Sequence, residues 1–173
     1  ADLREYVRVP AIASGGRQIV TAKPTAAFKM YQQILDSRIK AIEMREGPAQ
    51  PGDDILLSVI TDGRHAAIDL RLVMPANDNE PDNKLNLLVG NAFRIWQETA
   101  DQVFVRPDGK PYDLPGAAQM IFSDLGTINV EKTRGFSAYR WIRDELVRLG
   151  VPAGEIAYMQ DYKKSETKQR LFG

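Results

Sequence analysis

Three stretches of the chain carry hydrophobic residues at the spacing of an amphipathic helix. The first follows Thr25, a residue type that caps helix N-termini, the second covers residues 84–100, and the third covers residues 137–150. In the third stretch Gly150 predicts a C-terminal cap. The predicted apolar stripes are Ala27, Met30, Tyr31, Ile34, Ala41 and Ile42, then Leu85, Leu88, Val89, Ala92, Trp96 and Thr99, then Tyr139, Ile142, Leu146 and Leu149.

Short apolar runs between these helices favour β-strands. The runs are RQIVTA at 17–22, AAQMIF at 117–122 and EIAYM at 155–159. The apolar run after residue 55 fits a strand or a helix equally well, and residues 64–72 predict a helix. A Pro-Asp-Gly turn at 107–109 is expected to join two short extended pieces. Strands that alternate with helices predict an α/β fold with a parallel sheet.

The amino-acid composition excludes several kinds of binding site. The chain has 23 basic and 23 acidic residues in 173, so any nucleic-acid surface must be a local patch. It has no cysteine, which excludes disulfides and thiolate metal sites and fits a cytoplasmic protein. No apolar run approaches the roughly 20 residues that cross a bilayer, so no membrane partner is expected.

Polar residues at strand ends are the candidate binding groups, because ligands of open α/β sheets bind beyond the carboxyl ends of the strands. Hydroxyl groups and lysines there suit contacts to phosphate. The alternative interpretation is that these residues form only solvated turns and helix caps. The residues concerned are Ser123, Asp124 and Thr127 after the first run, and Gln160, Asp161, Tyr162, Lys163 and Lys164 after the second.

The sequence gives weaker signals for metal, nucleophile and phosphate-binding sites. The chain has a single histidine, His65, for which we expect a structural role, since metal and nucleophile sites need convergent partners. Asp53 and Asp54 follow Pro-Gly and predict a turn. An aspartate-based phosphohydrolase would need a carboxylate at position 122, where Phe122 stands. No G-x-x-x-x-G-K-[ST] phosphate loop occurs.

Two segments, AAQMIFSDLGT (117–127) and SAYRWIRDELVRLGVPAGEIAYMQDYKKSETKQRLF (137–172), resemble a known family. They are similar to the opening of the second RecA-like lobe of superfamily-two helicases, in the chromatin-remodeller-like branch. More narrowly, they resemble large bacterial, phage and plasmid proteins that join an adenine-specific DNA methyltransferase to such a helicase. Residues 17–42, 61–73 and 83–96 resemble the upstream strand and helices of that lobe.

The resemblance implies a partial RecA-like lobe with a short parallel sheet flanked by helices and cut short at its C-terminus. Residues 1–116 would form the entry strand, long helices and linker, and residues 117–173 would begin the helicase core. The parent protein would be an ATP-driven helicase or translocase. ATP and Mg²⁺ would bind that parent, and this fragment alone would hold neither and would not catalyse.

The resemblance also assigns candidate DNA contacts. Ser123 and Asp124 occupy the motif that grips the backbone of one nucleic-acid strand, with Asp124 orienting a neighbouring amide or lysine. The further candidates are Thr127, Lys132, Arg134, Lys163 and Lys164. Expected partners are DNA, the first RecA-like lobe and a second copy of the chain, through an unpaired sheet edge. A non-catalytic RecA-like scaffold domain is the alternative.

Overall fold

The computed structural model describes residues 16–106 and 108–172, and this part of the chain is built from helices. The α-helices are α1 (Ala26–Glu43), α2 (Leu56–Ala66), α3 (Lys84–Thr99), α4 (Glu131–Arg134), α5 (Ala138–Leu149) and α6 (Ser165–Phe172). Single 3-10 turns lie at Leu70–Leu72, Ile128–Val130, Ala153–Glu155 and Met159–Asp161. No helix in these described ranges is long and apolar enough to cross a membrane.

Side-chain caps explain where three of the helices begin. The hydroxyl of Thr25 accepts a hydrogen bond from the backbone N–H of Phe28 at the start of α1. Asn83 and Ser137 cap α3 and α5 in the same way. Gly150 ends α5 in the left-handed conformation, with φ of 114°. The predicted caps at Thr25 and Gly150 are therefore confirmed.

The predicted α/β fold with a parallel sheet is wrong. Within residues 16–106 and 108–172, the β-type pairing is confined to one isolated antiparallel bridge between Val105 and Pro111. This bridge joins the two extended pieces on either side of residues 108–109, as the turn signal indicated. None of the runs 17–22, 117–122 and 155–159 forms a strand. A RecA-like lobe is accordingly not the architecture of this structure.

The physical reason is that a strand exists only with a backbone partner. Residues 118–122 run without helix, turn or bend, but their backbone N–H and C=O groups find no partner in the described ranges. Residues 155 and 159 belong to 3-10 turns, which leaves only 156–158 straight. The ambiguous run after residue 55 is helix α2, which ends at Ala66, so the helix predicted over 64–72 was misplaced.

Two apolar clusters form the interior. The larger joins α3 to α5 and contains Leu85, Val89, Ala92, Ala138, Ile142, Leu146 and Val151. The smaller contains Tyr31, Ala66 and Leu70. Most of the predicted α3 and α5 stripes face the larger cluster, but Thr99 and Tyr139 are not among its residues. In α1 Tyr31 is buried, but the side chains of Met30 and Ile34 are 67% and 49% exposed, so that stripe was only partly right.

A buried ion pair lies where α5 meets the 3-10 turn Leu70–Leu72. The guanidinium of Arg71 donates two hydrogen bonds to Asp69, of 2.9 and 2.8 Å. It also stacks between the rings of Phe136 and Trp141, at 4.4 and 4.7 Å from their centroids. Asp69 further accepts from the side-chain amide of Asn83, the cap of α3. One charged pair thus links the start of α3, the turn and α5.

Candidate functional site

A groove of about 510 Å³ lies against helices α3 and α5, and we call it the α3–α5 groove. Residues 117–124 and 155–160 line it together with side chains from three helices. The helix residues that line the groove are Ala92 and Trp96 of α3, Tyr139, Arg143 and Leu146 of α5, and Leu171 of α6. Its volume and mainly apolar lining are those of a typical small-ligand or peptide site.

The first segment, 117–123, crosses the groove from α3 towards α5. At its start the backbone N–H of Ala117 donates to the Thr99 hydroxyl at 3.4 Å, near the end of α3. At its end the carbonyl of Ser123 accepts from the hydroxyl of Tyr139 at 2.7 Å, in the first turn of α5. The segment is therefore held at both ends by side chains.

The second segment, 156–158, runs in the same direction. Just before it, Glu155 accepts a 2.9 Å hydrogen bond from the indole N–H of Trp96 in α3. At its end the Tyr158 hydroxyl donates to the carbonyl of Tyr139 at 3.4 Å, and the two tyrosine rings stack. Burial raises the pKa of Tyr158, so its hydroxyl stays protonated. The carboxyl ends of both segments thus converge on Tyr139.

This convergence brings some of the predicted site residues together. Ser123, Asp124 and Gln160 all line the α3–α5 groove. Ser123 is half-buried, and its hydroxyl donates to the carbonyl of Leu125 at 2.9 Å. Asp124 is exposed, and within the described residues its carboxylate makes neither a hydrogen bond nor an ion pair. Thr127 is half-buried and caps the turn that follows through its carbonyl.

The four predicted cationic contacts have different surroundings. Lys132, Lys163 and Lys164 are exposed. Arg134 donates instead to the carboxylate of Asp62 at 3.0 Å and to the carbonyl of Leu72 at 3.1 Å. A phosphate contact from Arg134 would require these bonds to break, so its place in the structure is that of a cross-link between α4 and α2.

Asp62 also pairs with Arg38, which makes it the shared carboxylate of a small network. Arg38 donates to Asp62 at 2.9 Å and to Asp54. The hydrogen bonds that Arg38 donates to the Asp54 carboxylate raise the pKa of Arg38 above its already high value and lower the pKa of Asp54. The network ties α1, the loop before α2, α2 and α4 together, so its role is structural.

The side chains of the remaining candidate residues contact other parts of the chain. His65 is buried, and its Nδ1–H donates to the carbonyl of Thr61 at 2.8 Å. Asp53 accepts from the backbone N–H of Gln50, which closes the predicted turn. Trp96 and Trp141 are partly buried against the larger cluster. Across residues 16–106 and 108–172, no three acidic, histidine or cysteine side chains gather in a way that could hold a metal ion.

Sequence reasoning missed two sets of ion-paired side chains that link separate helices. The burial of the pair Asp69–Arg71 and the sharing of the Asp62 carboxylate had no signal in the pattern of hydrophobic positions, because they depend on contacts with residues distant in the chain. The two opposite charges, Asp69 and Arg71, within the otherwise apolar stretch IDLRLV were the available cue. Charged residues are almost never fully buried unless they are paired, so two opposite charges in an apolar stretch indicate a buried pair.

Comparisons with known protein families, with curated proteins and with solved structures find no match to this chain. The resemblance of residues 117–127 and 137–172 to helicases therefore stays a prediction.

Proposed function

We propose that this chain is a non-catalytic part of an ATP-driven DNA helicase or translocase, of the methyltransferase-fused kind, and that it contacts the DNA backbone. ATP and Mg²⁺ would bind elsewhere in the larger protein, whose nucleotide-binding lobe would be a partner of this chain. Its place of action would be the cytoplasm. The proposal rests on the residues that resemble that family and on the exposed lysines described next.

The observation that carries the proposal is that the arginine and lysine side chains differ in their ion pairing. Every ion pair in the described ranges is formed by an arginine. The exposed side chains of Lys132, Lys163 and Lys164 take part in none of them. A lysine ammonium is a compact, mobile charge that suits phosphate without reading sequence. The ammonium groups of these three lysines therefore have no acidic partner in the described ranges that would compete with a polyanion.

Lys163 and Lys164 are the best placed of the three. They follow the segment 156–158 and the turn Met159–Asp161, and they precede α6. The carbonyl of Lys164 accepts from the backbone N–H of Lys168 and from the hydroxyl of Thr167, at 3.2 and 2.7 Å. The backbone of Lys164 is therefore anchored to the first turn of α6, and the side chains of both lysines are exposed.

Fluorescence anisotropy with single-stranded and duplex oligonucleotides of mixed sequence, over a salt series, tests this proposal. The double variant K163Q/K164Q should weaken binding and reduce the single-strand salt slope by about 1.4, at roughly 0.7 per lost phosphate contact. The matched control K29Q/K40Q removes the same charge from exposed positions of α1. It should leave the slope unchanged.

Two results would overturn the proposal. If the chain shows no DNA binding at low salt, the lysines have no such role. If both double variants weaken binding equally, the effect is one of net charge, and no defined backbone contact exists at 163–164. A binding preference for one base sequence would also contradict a contact made only to phosphate.

A second candidate is a non-catalytic interaction domain, without the RecA-like shape that the structure contradicts. It is favoured by the large apolar side chains that α1, the residue after it and α2 leave in solvent. Met30, Met44 and Leu57 are 67%, 81% and 68% exposed. DNA-stimulated ATP hydrolysis by the larger protein, reduced by K163Q/K164Q, would favour the motor over this role. Stimulation that the variant leaves unchanged would favour the interaction domain.

A further inference from the structure

Five consecutive residues, 118–122, present an open strand edge. Within the described ranges, none of their backbone N–H or C=O groups makes a hydrogen bond. The flanking residues are fixed, since Ala117 donates to Thr99 and the carbonyl of Ser123 accepts from Tyr139. The edge is thus held straight at both ends, although no neighbouring strand covers it.

The side chains of this segment alternate as those of a strand do. The amide of Gln119 donates to the carbonyl of Ala92 in α3 at 3.0 Å, so positions 119 and 121 face the helix. Met120 and Phe122 face away from it. Their exposures of 66% and 83%, against 40% for Ile121, agree with this alternation. The segment is therefore a straight stretch with the side-chain alternation of a strand, and its backbone groups lack a partner in the described ranges.

Its composition is that of a segment that pairs with its own kind. AAQMIF contains no charge and no proline, which are two of the devices that proteins use to protect an exposed edge. The formal net charge of the whole chain is zero, so two copies approach without net repulsion. An antiparallel pair made from one segment and its copy is self-complementary, which is what a two-fold symmetric dimer requires.

We propose that residues 118–122 are a dimerisation edge that pairs antiparallel with the same residues of a second copy. The register that engages all five residues is centred on Met120, which then lies opposite its own counterpart. In this arrangement Met120 and Phe122 form the outer face of a two-stranded ribbon. Its inner face, with Gln119 and Ile121, lies over α3. The dimer does not depend on the proposed DNA contacts.

Sedimentation equilibrium of the 173-residue chain from micromolar to millimolar concentration measures the dimer directly. The variant Phe122→Lys places a charge on the ribbon and should raise the dissociation constant by about tenfold or more. The control Met44→Lys adds the same charge at a side chain of matched exposure, 81% against 83%, at the residue that follows α1. It should leave the constant within about twofold, as surface substitutions usually do.

Hydrogen exchange with mass spectrometry identifies the edge itself and needs no variant. Amide protons of residues 118–122 should exchange freely in dilute samples and become protected as the dimer forms, because pairing engages alternate N–H groups. Hydrogen exchange therefore tests whether residues 118–122 form the contact even if Phe122→Lys lowers the helical signal in circular dichroism.

Three outcomes would overturn the proposal. The chain stays monomeric at millimolar concentration, or it associates while amides 118–122 remain unprotected, or Met44→Lys weakens association as much as Phe122→Lys. The last two would place the contact on another apolar surface. A dimer that K163Q/K164Q leaves intact would support the independence of the edge from DNA binding.

Discussion

Replacing Arg71 by methionine should destabilise the fold more than any change to a surface ion pair. The methionine keeps the apolar stem of the side chain, so little cavity forms, but it removes the guanidinium from between Phe136 and Trp141. It also leaves the carboxylate of Asp69, whose side chain is 2% exposed, without its cation.

The magnitude follows from what remains around that carboxylate. Removing one partner of a buried ion pair costs about 3–5 kcal/mol, because the other charge stays buried and uncompensated. Here Asp69 keeps two donors, the backbone N–H of residue 71 at 2.9 Å and the Asn83 amide at 2.8 Å. Because Asp69 keeps these two donors, we expect the loss in unfolding free energy to lie near the lower end of that range, at about 3 kcal/mol. Small domains are stable by only about 5–15 kcal/mol.

Urea unfolding followed by circular dichroism at constant pH measures this loss. The control Arg94→Met breaks an exposed pair with Glu98, whose side chains are 52% and 57% exposed. It should cost only about 0.3–0.5 kcal/mol. The double variant D69N/R71M removes the stranded charge as well, so it should be more stable than R71M alone. The reasoning fails if R71M and Arg94→Met cost the same, or if the second substitution gives no recovery.

Three other measurements test the packing and the burial of single groups. Gly126→Ala should lower stability by at least about 1–2 kcal/mol, since its φ of 74° is left-handed and a Cβ would lie 2.6 Å from that of Ala138. Gly90→Ala, in the interior of α3 with open space around it, should raise stability by about 0.5–1 kcal/mol. Burial raises the pKa of Tyr31, so the folded state favours the neutral phenol. Its stabilising effect is complete below the unfolded pKa of about 10 and is lost as the pH rises from there through the folded pKa. Unfolding free energies at about pH 8 and pH 10.5 should therefore fall more for the wild type than for Tyr31→Phe; equal losses would contradict the shift.

The helices with side-chain caps were within reach of sequence reasoning because a cap and an apolar stripe are local features. Thr25 and Gly150 mark their helix ends by chemistry that involves only a few neighbouring residues. The α1 stripe was only partly right, since two faces of that helix carry apolar residues and only packing selects the face of Tyr31.

The predicted sheet failed for the opposite reason. AAQMIF has the composition of a buried strand, and its backbone is straight, but a strand needs a ladder with a distant segment. The structure places 118–122 and 156–158 in one groove, running the same way, without joining them. The approach of Ser123, Asp124 and Gln160 at one end of the groove was predicted from that same picture of neighbouring strands.

By itself the amino-acid sequence determined the positions of the capped helices, the absence of cysteine chemistry and the balance of charges. Each of these follows from residue identity and from contacts within a few residues. Only the tertiary structure decided which face of α1 is buried, that Arg71 lies between two aromatic rings beside Asp69, and that the AAQMIF edge remains open. Those outcomes depend on free energies of burial and pairing between segments far apart in the chain, which no local pattern encodes.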